Sequence, residues 1–383
     1  MSRRQTGRYE RTIVGGETIA AFLPAPLPPA EPPLEIQGAL ADRLRVAEEA
    51  LARLEMAGEI LPSTDVHVSH FLRKEAVLSC QIEGTQASLA DLLRFEAGAL
   101  PPNDDIEEIL GYLRALEHVR EELKSPTGLP LSMRLLNQAH FLLMRGKRAE
   151  EKEPGEIRRS QNWVGGTRPG NAVFVPPPPH YLPEALSAFE KYIHSEDELP
   201  PLVRIGLLHA QFETIHPYLD GNGRVGRLLV TILLEHWGLL RRPLLFLSLF
   251  FKWNRLGYFT ELGAIRTDGD WEGWLDYFLE GVAAIAERGV NSLRDLERQV
   301  AKDRAHLLQR SEATTAELRL FERLREHPVV TIASVADDLQ GEAGRAIESL
   351  VEAKILTELP PNDRPRAWSY RRYLEILRIG TDI

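Results

Sequence analysis

The chain of 383 residues contains a single cysteine, Cys80. One cysteine forms no intrachain disulfide, so we expect a protein of a reducing compartment, the cytosol. No run approaches the roughly 20 apolar residues that a membrane-spanning helix needs. The first residues, 1–8, are basic and lack the apolar segment of a secretory signal. These absences predict a protein that is neither exported nor in contact with a membrane.

An excess of basic residues is also missing. Lys and Arg total 46 against 56 Asp and Glu, which gives a formal net charge of −10. Proteins that bind nucleic acid usually carry a basic footprint, so the charge does not favour nucleic acid as the main partner. Hydrophobic residues make up 43% of the chain, as in a globular protein, and the length predicts two or three domains.

What the sequence does contain is a polar loop between two apolar helical runs. The segment from His216 to Arg227 supplies an imidazole, a carboxylate, glycines around an asparagine, and two arginines. Backbone N–H groups at a helix N-terminus favour an anion, and glycine lets a phosphate approach closely. Arginines three residues apart on a helix share one face and can bind the same phosphate. The segment therefore predicts a phosphate site with a base beside it.

The same segment contains a literal G-x-G-x-x-G at Gly221, Gly223 and Gly226. A dinucleotide-binding fingerprint needs a buried strand before the glycines and a helix after them. Here the preceding run, 201–212, has helical spacing, and the following run, 228–237, is apolar on nearly every side. The context is helix–loop–helix, which excludes a Rossmann site.

The loop resembles the signature of the Fic family, His-x-Phe-x-(Asp/Glu)-Gly-Asn-Gly-Arg-x-x-Arg, with Tyr218 at the aromatic position. The resemblance implies transfer of AMP from ATP to a Tyr, Thr or Ser hydroxyl of a target protein, or of the protein itself. His216 would be the catalytic base and Asp220 would hold Mg²⁺. The nucleotide would be bound by the other loop residues: Gly221, Asn222, Gly223, Arg224, Val225, Gly226 and Arg227.

Glycine at position 223 bears on the reaction type. A relative of the Fic fold that transfers the γ-phosphate has lysine there, so Gly223 favours nucleotidyl transfer. Transfer of another nucleotide and hydrolytic removal of AMP remain alternatives for the same residues.

A second segment, 155–178, contains two short β-capable stretches around Gly- and Pro-rich turn residues. The pattern predicts a hairpin. It resembles the Fic flap, which implies that the target docks by backbone pairing at Val164, Gly165, Gly166 and Thr167. An ordinary surface hairpin is the alternative.

The third segment lies far upstream, where a helical pattern over 68–78 runs towards Gly84, which is placed as a C-cap. Ser79, Glu83 and Gly84 match the inhibitory motif of the family, (Ser/Thr)-x-x-x-Glu-(Gly/Asn). The resemblance implies that Glu83 pairs with Arg227 in the place of the ATP γ-phosphate, so Glu83 belongs to both the nucleotide site and its inhibition. A solvated glutamate at a helix end is the alternative reading.

The adenine side of the site is expected in the segment 247–262, by resemblance to the family segment that carries paired aromatic residues. Tyr258 is assigned to the base, with Phe259 beside it. Aromatic residues at helical spacing are otherwise typical of a protein core.

We expect a mainly α-helical protein with a Fic-type core, a β-hairpin flap and a small C-terminal winged-helix domain. Three helices over 315–354 followed by a hairpin, with strands at 355–359 and 367–370, favour that last assignment. The predicted domains are an N-terminal region at 1–125 with a proline-rich extended arm at 18–34, a Fic core at 126–285, a linker helix at 286–310, and the winged helix at 311–383.

A winged helix suggests DNA binding, which gives a second hypothesis of a DNA-binding regulator. Residues 310–383, however, carry eleven Arg and Lys against thirteen Asp and Glu. A role in protein contacts or in a homodimer is therefore expected at least as strongly as DNA binding.

Overall fold

The computed structural model describes residues 4–61, 64–144, 150–310, 314–360 and 365–383. Within these ranges the protein is predominantly helical, as predicted, with two small antiparallel sheets. No helix there is long and apolar enough to cross a bilayer. The helices are α1 (Ala39–Ile60), α2 (Thr64–Ile82), α3 (Leu89–Glu96), α4 (Asp104–Lys124), α5 (Met133–Leu143), α6 (Leu182–Ile193), α7 (Pro201–Ile215), α8 (Asn222–His236), α9 (Ser248–Trp253), α10 (Arg255–Asp268), α11 (Trp271–Leu308), α12 (Thr315–Glu326), α13 (Ile332–Leu339), α14 (Ala343–Glu352) and α15 (Arg371–Leu377). The strands are β1 (Gly7–Val14), β2 (Glu17–Pro24), β3 (Val329–Thr331), β4 (Thr357–Glu358) and β5 (Ala367–Ser369).

Helices α7 and α8 form the centre of the core. Nearly every residue of both helices is buried, because apolar side chains cover all their sides. The indole of Trp274 on α11 donates a hydrogen bond to the carbonyl of Gly206 on α7, at 2.9 Å. The short loop that joins the two helices is therefore anchored at both ends in the buried core.

Helix α11 runs without a break for 38 residues and packs along α1. Its N-cap is Asp270, whose side chain accepts a hydrogen bond from the Gly273 N–H at 2.8 Å. The expected boundary between a core ending at 285 and a linker helix at 286–310 thus falls inside one helix. The sequence offers no stop signal at 285, and the apolar spacing continues through it.

The prediction of a proline-rich extended arm at 18–34 is wrong for its first residues, up to Pro24, which belong to strand β2. Residues 7–24 form a hairpin of β1 and β2, with Gly15 and Gly16 both at positive φ in the turn. The prolines begin only at Pro24, so they leave the strands intact. Strand β2 also reaches the segment predicted as the flap, because the Phe22 N–H donates to the Val175 carbonyl at 2.9 Å.

The C-terminal part contains three helices, α12 to α14, within a few residues of the predicted ones, and a sheet in the order β3-β5-β4. Strand β3 and helix α15 were not predicted, since both are short. The sequence also predicts a turn at 360–363 between the two strands of this hairpin, and its residues 361–363 lie outside the described residues. This part packs on α2 and α11: His70 Nε2 lies 2.7 Å from the Arg325 carbonyl, and the Tyr370 hydroxyl donates to Asp303 at 2.8 Å.

Two helical glycines give a test of the packing around the core. A Cβ at Gly111 on α4 would lie 2.6 Å from the Leu143 carbonyl oxygen at the end of α5, whereas one at Gly263 on α10 would meet nothing within 4 Å. Gly111→Ala should lower the free energy of unfolding by about 1–3 kcal/mol, because backbone must shift. Gly263→Ala should raise it by about 0.5–1 kcal/mol through helix propensity. Urea denaturation measures both, and changes of the same sign would contradict this account.

Candidate active site

The loop between α7 and α8 is shaped by two residues in the left-handed region. His216, with φ 51°, is the C-cap of α7, and Gly221, with φ 76°, is the N-cap of α8. A left-handed histidine is uncommon and indicates a conformation imposed by its surroundings. The side chain of Asn222 fixes the loop from inside, since its Oδ1 accepts from the Tyr218 N–H and its Nδ2 donates to the Tyr218 carbonyl, both at 2.8 Å.

Tyr218, at the position of the usual phenylalanine, is fully buried. Its ring stacks on His140 with centroids 3.8 Å apart, and its hydroxyl donates to Asn137 Oδ1 at 2.8 Å. His140 accepts from the Gly155 N–H through Nδ1, so its Nε2 carries the proton and donates to the Asp220 carbonyl at 3.0 Å. The stacked rings of Tyr218 and His140 therefore support the loop.

His216 is in the form that a general base requires. Its Nδ1 lies 3.3 Å from the Glu213 carbonyl, which only accepts, so Nδ1 carries the proton and the lone pair of Nε2 is left for a substrate. Burial, and to a smaller extent the nearby Arg158, lowers the pKa of His216 to about 4. The imidazole is therefore neutral at pH 7.

Arg158 was not singled out from the sequence, yet it joins the loop to the flap segment. Its guanidinium is 1% exposed and donates to the carbonyls of His216 at 2.9 Å, Ser160 at 3.2 Å and Pro177 at 2.5 Å. Burial lowers the pKa of Arg158 to about 10, so it remains charged. The only signal in the sequence was an arginine inside the segment predicted as the flap.

The N-terminus of α8 faces the site with free donors. The N–H groups of Asn222, Gly223 and Arg224 lie in the first turn and have no acceptor within the helix. The Val225 N–H already donates to the Gly221 carbonyl at 3.0 Å. Val225 is buried, and the Gly226 carbonyl is 3.0 Å from Nδ1 of His209 beneath the loop. The structure thus does not support direct nucleotide contacts by Val225 and Gly226, because helix hydrogen bonding and packing occupy both.

The predicted contact between Glu83 and Arg227 is confirmed. Arg227, 2% exposed, donates from Nη2 to Glu83 Oε1 at 2.7 Å. It also donates to the Ser79 hydroxyl and to the Ser79 carbonyl, both at 2.9 Å. Gly84 ends the α2 segment at φ 109°, as its placement at the helix end predicts. Burial alone would raise the pKa of Glu83, but the adjacent Arg227 outweighs it and lowers that pKa.

Gly223 allows this contact. A side chain at position 223 would collide with Glu83 Oε1, and its Cβ would lie 2.8 Å from Arg227 Nη1. The Glu83 carboxylate therefore occupies a space at the α8 N-terminus that only glycine leaves open. An anion already lies between Arg227 and the first turn of the helix, so the residues present fit a phosphate group.

Arg224 and Asp220 lie on the other side of the loop. Arg224 Nη2 is 3.6 Å from Asp220 Oδ1, and Nη1 is 3.9 Å from Glu108. Asp220 is half-exposed and accepts from the Gly221 N–H at 2.6 Å. No cluster of three or more metal-ligating side chains occurs in the described ranges. A single exposed carboxylate beside a phosphate site fits Mg²⁺, which takes one or two carboxylates with phosphate oxygens and water.

The assignment of Tyr258 to an adenine pocket is wrong in this structure. Its ring is 1% exposed and stacks on Phe251 with centroids 4.5 Å apart, while its hydroxyl bonds to His209 Nε2 at 2.8 Å. A ring covered in this way has no face left on which an adenine could stack. Tyr258 therefore belongs to the protein core, which was the alternative interpretation. Phe259 next to it is 46% exposed, with the Arg255 guanidinium 5.6 Å from its ring centroid.

Glu213 was missed by the sequence analysis and lies beneath the loop. Its Oε1 is buried and accepts no hydrogen bond from the described part of the chain. Burial raises the pKa of Glu213 and Arg227 opposes this effect, and the resulting pKa is about 7. The signal available was an acid three residues before His216, on the same face of α7.

The flap segment is not the regular hairpin that the sequence predicts. A single bridge joins Val164 and Phe174, with N–H to carbonyl distances of 2.8 Å and 3.1 Å. Gly165 and Gly166, with φ 69° and 72°, turn the chain away, and the prolines after Val175 have no N–H for a ladder. Val164 is half-buried, while Gly165, Gly166 and Thr167 are exposed. The segment is tied to the loop through Asn162, which donates to the Tyr218 carbonyl at 2.9 Å.

Comparisons with known proteins agree with this geometry. Residues 41–121 match the Fic/DOC family N-terminal domain, and residues 130–234 match the Fic/DOC family. A protein adenylyltransferase Fic of Drosophila grimshawi is 33% identical over 137 residues, which are 35% of this chain and 26% of that protein. The protein adenylyltransferase Fic of Drosophila erecta is 32% identical over the same length. The chain thus spans about a quarter of the length of these curated relatives.

Solved structures share the fold. A Fic family protein from Desulfovibrio desulfuricans superposes with a TM-score of 0.56 at 19% identity, over 88% of this chain and 97% of that one. Fic-1 of C. elegans gives a TM-score of 0.52 at 21% identity, over 67% of this chain and 74% of that one. Two domains of the Fic/DOC family thus lie in this chain, at residues 41–121 and 130–234.

Proposed function

We propose that this protein is an adenylyltransferase, which transfers AMP from ATP to a hydroxyl side chain of a target protein and is inhibited by its own Glu83. One observation carries the proposal. The Glu83 carboxylate lies against Gly223 and Arg227, at a helix N-terminus that starts six residues after a neutral His216. The relatives named as protein adenylyltransferases support the same reaction.

Each polar group of the loop has its own role in the proposed reaction. The hydroxyl oxygen of the target attacks the α-phosphorus of ATP, while His216 Nε2 accepts the hydroxyl proton. The bond from the α-phosphorus to its bridging oxygen breaks, and pyrophosphate leaves. The first-turn N–H groups of Asn222, Gly223 and Arg224 would bind the phosphates, with the Arg224 and Arg227 guanidinium groups. Asp220 would hold Mg²⁺, which neutralises phosphate charge when it is bound.

Inhibition follows from the same geometry. Arg227 is a buried cation, so it needs an anion in the folded protein, and Glu83 supplies one when no phosphate is present. The terminal phosphate of ATP would need the same Arg227 donor. Glu83 is partly exposed, so its side chain can leave towards solvent without unfolding α2. ATP and Glu83 therefore compete for Arg227.

The remaining assignments are proposals of the same kind. The exposed flap residues Gly165, Gly166 and Thr167 would dock the target together with Val164, and residues 126–285 would form the catalytic core. For the C-terminal domain we favour a protein partner or a second copy of the chain over DNA. Several of its exposed cations pair with acids of the same domain, as Arg366 does with Glu358 at 2.7 Å, which reduces the charge they offer to phosphate.

Removing the inhibitory carboxylate should activate the enzyme. In Glu83→Gly, Arg227 becomes available to ATP, and we expect AMP incorporation to rise roughly tenfold or more, corresponding to at least 1.4 kcal/mol of competition. Labelled ATP with the purified protein, scoring self-modification and added lysate proteins, measures this. Glu352→Gly, an exposed helix-terminal glutamate of α14, is the matched control. Equal labelling by Glu83→Gly and wild type would show that Glu83 does not inhibit.

Removing the base should stop transfer. In His216→Ala we expect AMP incorporation to fall about 100- to 10,000-fold, because no other side chain replaces the Nε2 acceptor. The variant is best made in Glu83→Gly, where the signal is high, and ATP binding by calorimetry should persist. His180→Ala, an exposed histidine, serves as control. Undiminished labelling with His216→Ala would rule out the proposed base.

A further inference from the structure

The end of the chain lies against the inhibitory segment. After α15 ends at Leu377, residues 378–382 run along α9 towards the last turn of α2. Thr381 is fully buried, and Gly380, at φ 84°, packs so closely on Leu249 of α9 that a side chain there would collide with it. Residues 380 and 381 therefore form a closely fitted contact with the core.

Lys252 of α9 holds this contact together. Its Nζ donates to Gln81 Oε1 at 2.7 Å, to the Gly380 carbonyl at 2.9 Å and to the Asp382 carbonyl at 3.0 Å. An ammonium group has three N–H bonds, so each has an acceptor. The Gln81 amide in turn donates to the Thr381 carbonyl at 2.8 Å. We call Gln81, Lys252 and the carbonyls of residues 380–382 the C-terminal clasp.

The clasp acts on the turn that carries Glu83. Gln81 lies between Ser79 and Glu83 in the last turn of α2, and its carbonyl accepts from the Gly84 N–H at 3.1 Å. Helix α9 is also fixed to α2 one and a half turns earlier, where the Ser248 N–H donates to the buried Glu75 at 3.1 Å. Holding Gln81 therefore fixes the backbone from which the Glu83 side chain reaches Arg227.

The C-terminal domain holds α2 at a second point. His70, in the first half of α2, bonds to the Arg325 carbonyl at the end of α12, and its ring lies 5.8 Å from that of Tyr373 on α15. One domain thus contacts the inhibitory helix along its length. A displacement of that domain would act on α2 first and on Glu83 through it.

We propose that the C-terminal clasp sets the strength of the inhibition by Glu83, so that a partner which pulls residues 378–382 away from Gln81 activates the enzyme. The regulatory part rests on the proposed function. The mechanical part, in which residues 378–382 stiffen the end of α2, does not depend on the proposed function. When the clasp is closed, the Glu83 carboxylate stays next to Gly223. When the clasp is open, the last turn of α2 frays, and ATP binds Arg227 in place of Glu83 more often.

Hydrogen–deuterium exchange on the full chain tests the mechanical part. The amides of Glu83, Gly84 and Thr85 all donate within the turn, to Cys80 and Gln81 carbonyls. In Lys252→Met, which removes three hydrogen bonds, we expect these amides to exchange about fivefold faster. Gly380→Val should give the same result without changing α2 or α9, because it expels the tail. Lys191→Met, an exposed lysine of α6, is the control and should leave these amides unchanged.

AMP incorporation tests the regulatory part. Lys252→Met and Gly380→Val should each raise labelling several-fold over wild type, and neither should raise it further in Glu83→Gly, where no inhibition is left. Unchanged exchange at residues 83–85 in both variants would overturn the clasp. Faster exchange with labelling that rises in Glu83→Gly alone would overturn its regulatory role. Faster exchange at residues 83–85 with no labelling even in Glu83→Gly would support the clasp and contradict the adenylyltransferase proposal.

Discussion

The buried positive charge of Arg227 is the constraint on which the rest of the site depends. A guanidinium almost without solvent must find its partners inside the protein. Here the Ser79 hydroxyl and carbonyl and the Glu83 carboxylate accept its hydrogen bonds. The hydroxyl and carbonyl are permanent, whereas the carboxylate is on a partly exposed side chain that can leave. A charge that must be neutralised, with one removable counter-ion, is the basis of the proposed inhibition.

The rigidity around this charge explains why small geometric details matter. Helices α7 and α8 are buried on nearly all sides, and the loop between them is fixed by the two hydrogen bonds from Asn222 to Tyr218 and by the stacked His140. His216 keeps a left-handed backbone in that frame. The base and the anion site therefore hold a constant separation, as in-line attack on a bound phosphate requires.

The sequence located two segments of the candidate site better than it predicted how the other segments pack. The polar loop and the Ser79–Gly84 motif could be found because each needs particular residue types at fixed spacing, and the structure brings Glu83 to Arg227. Tyr258 failed because an aromatic residue in a helix serves the core or a ligand equally well, and burial alone distinguishes them. The flap failed as a hairpin because two left-handed glycines and a run of prolines end a ladder after one bridge. Arg158 and the clasp are contacts between distant segments, which local patterns do not encode.

In the proposed inhibition, Glu83 and the outer phosphates of the nucleotide compete for one guanidinium, that of Arg227. Titration calorimetry tests this most directly, with ATP and AMP added to His216→Ala and to His216→Ala combined with Glu83→Gly, so that no turnover occurs. We predict that loss of Glu83 raises the affinity for ATP about tenfold and leaves that for AMP unchanged, since AMP lacks the phosphates that need Arg227. An unchanged affinity for ATP, or an equal gain for AMP, would contradict the competition.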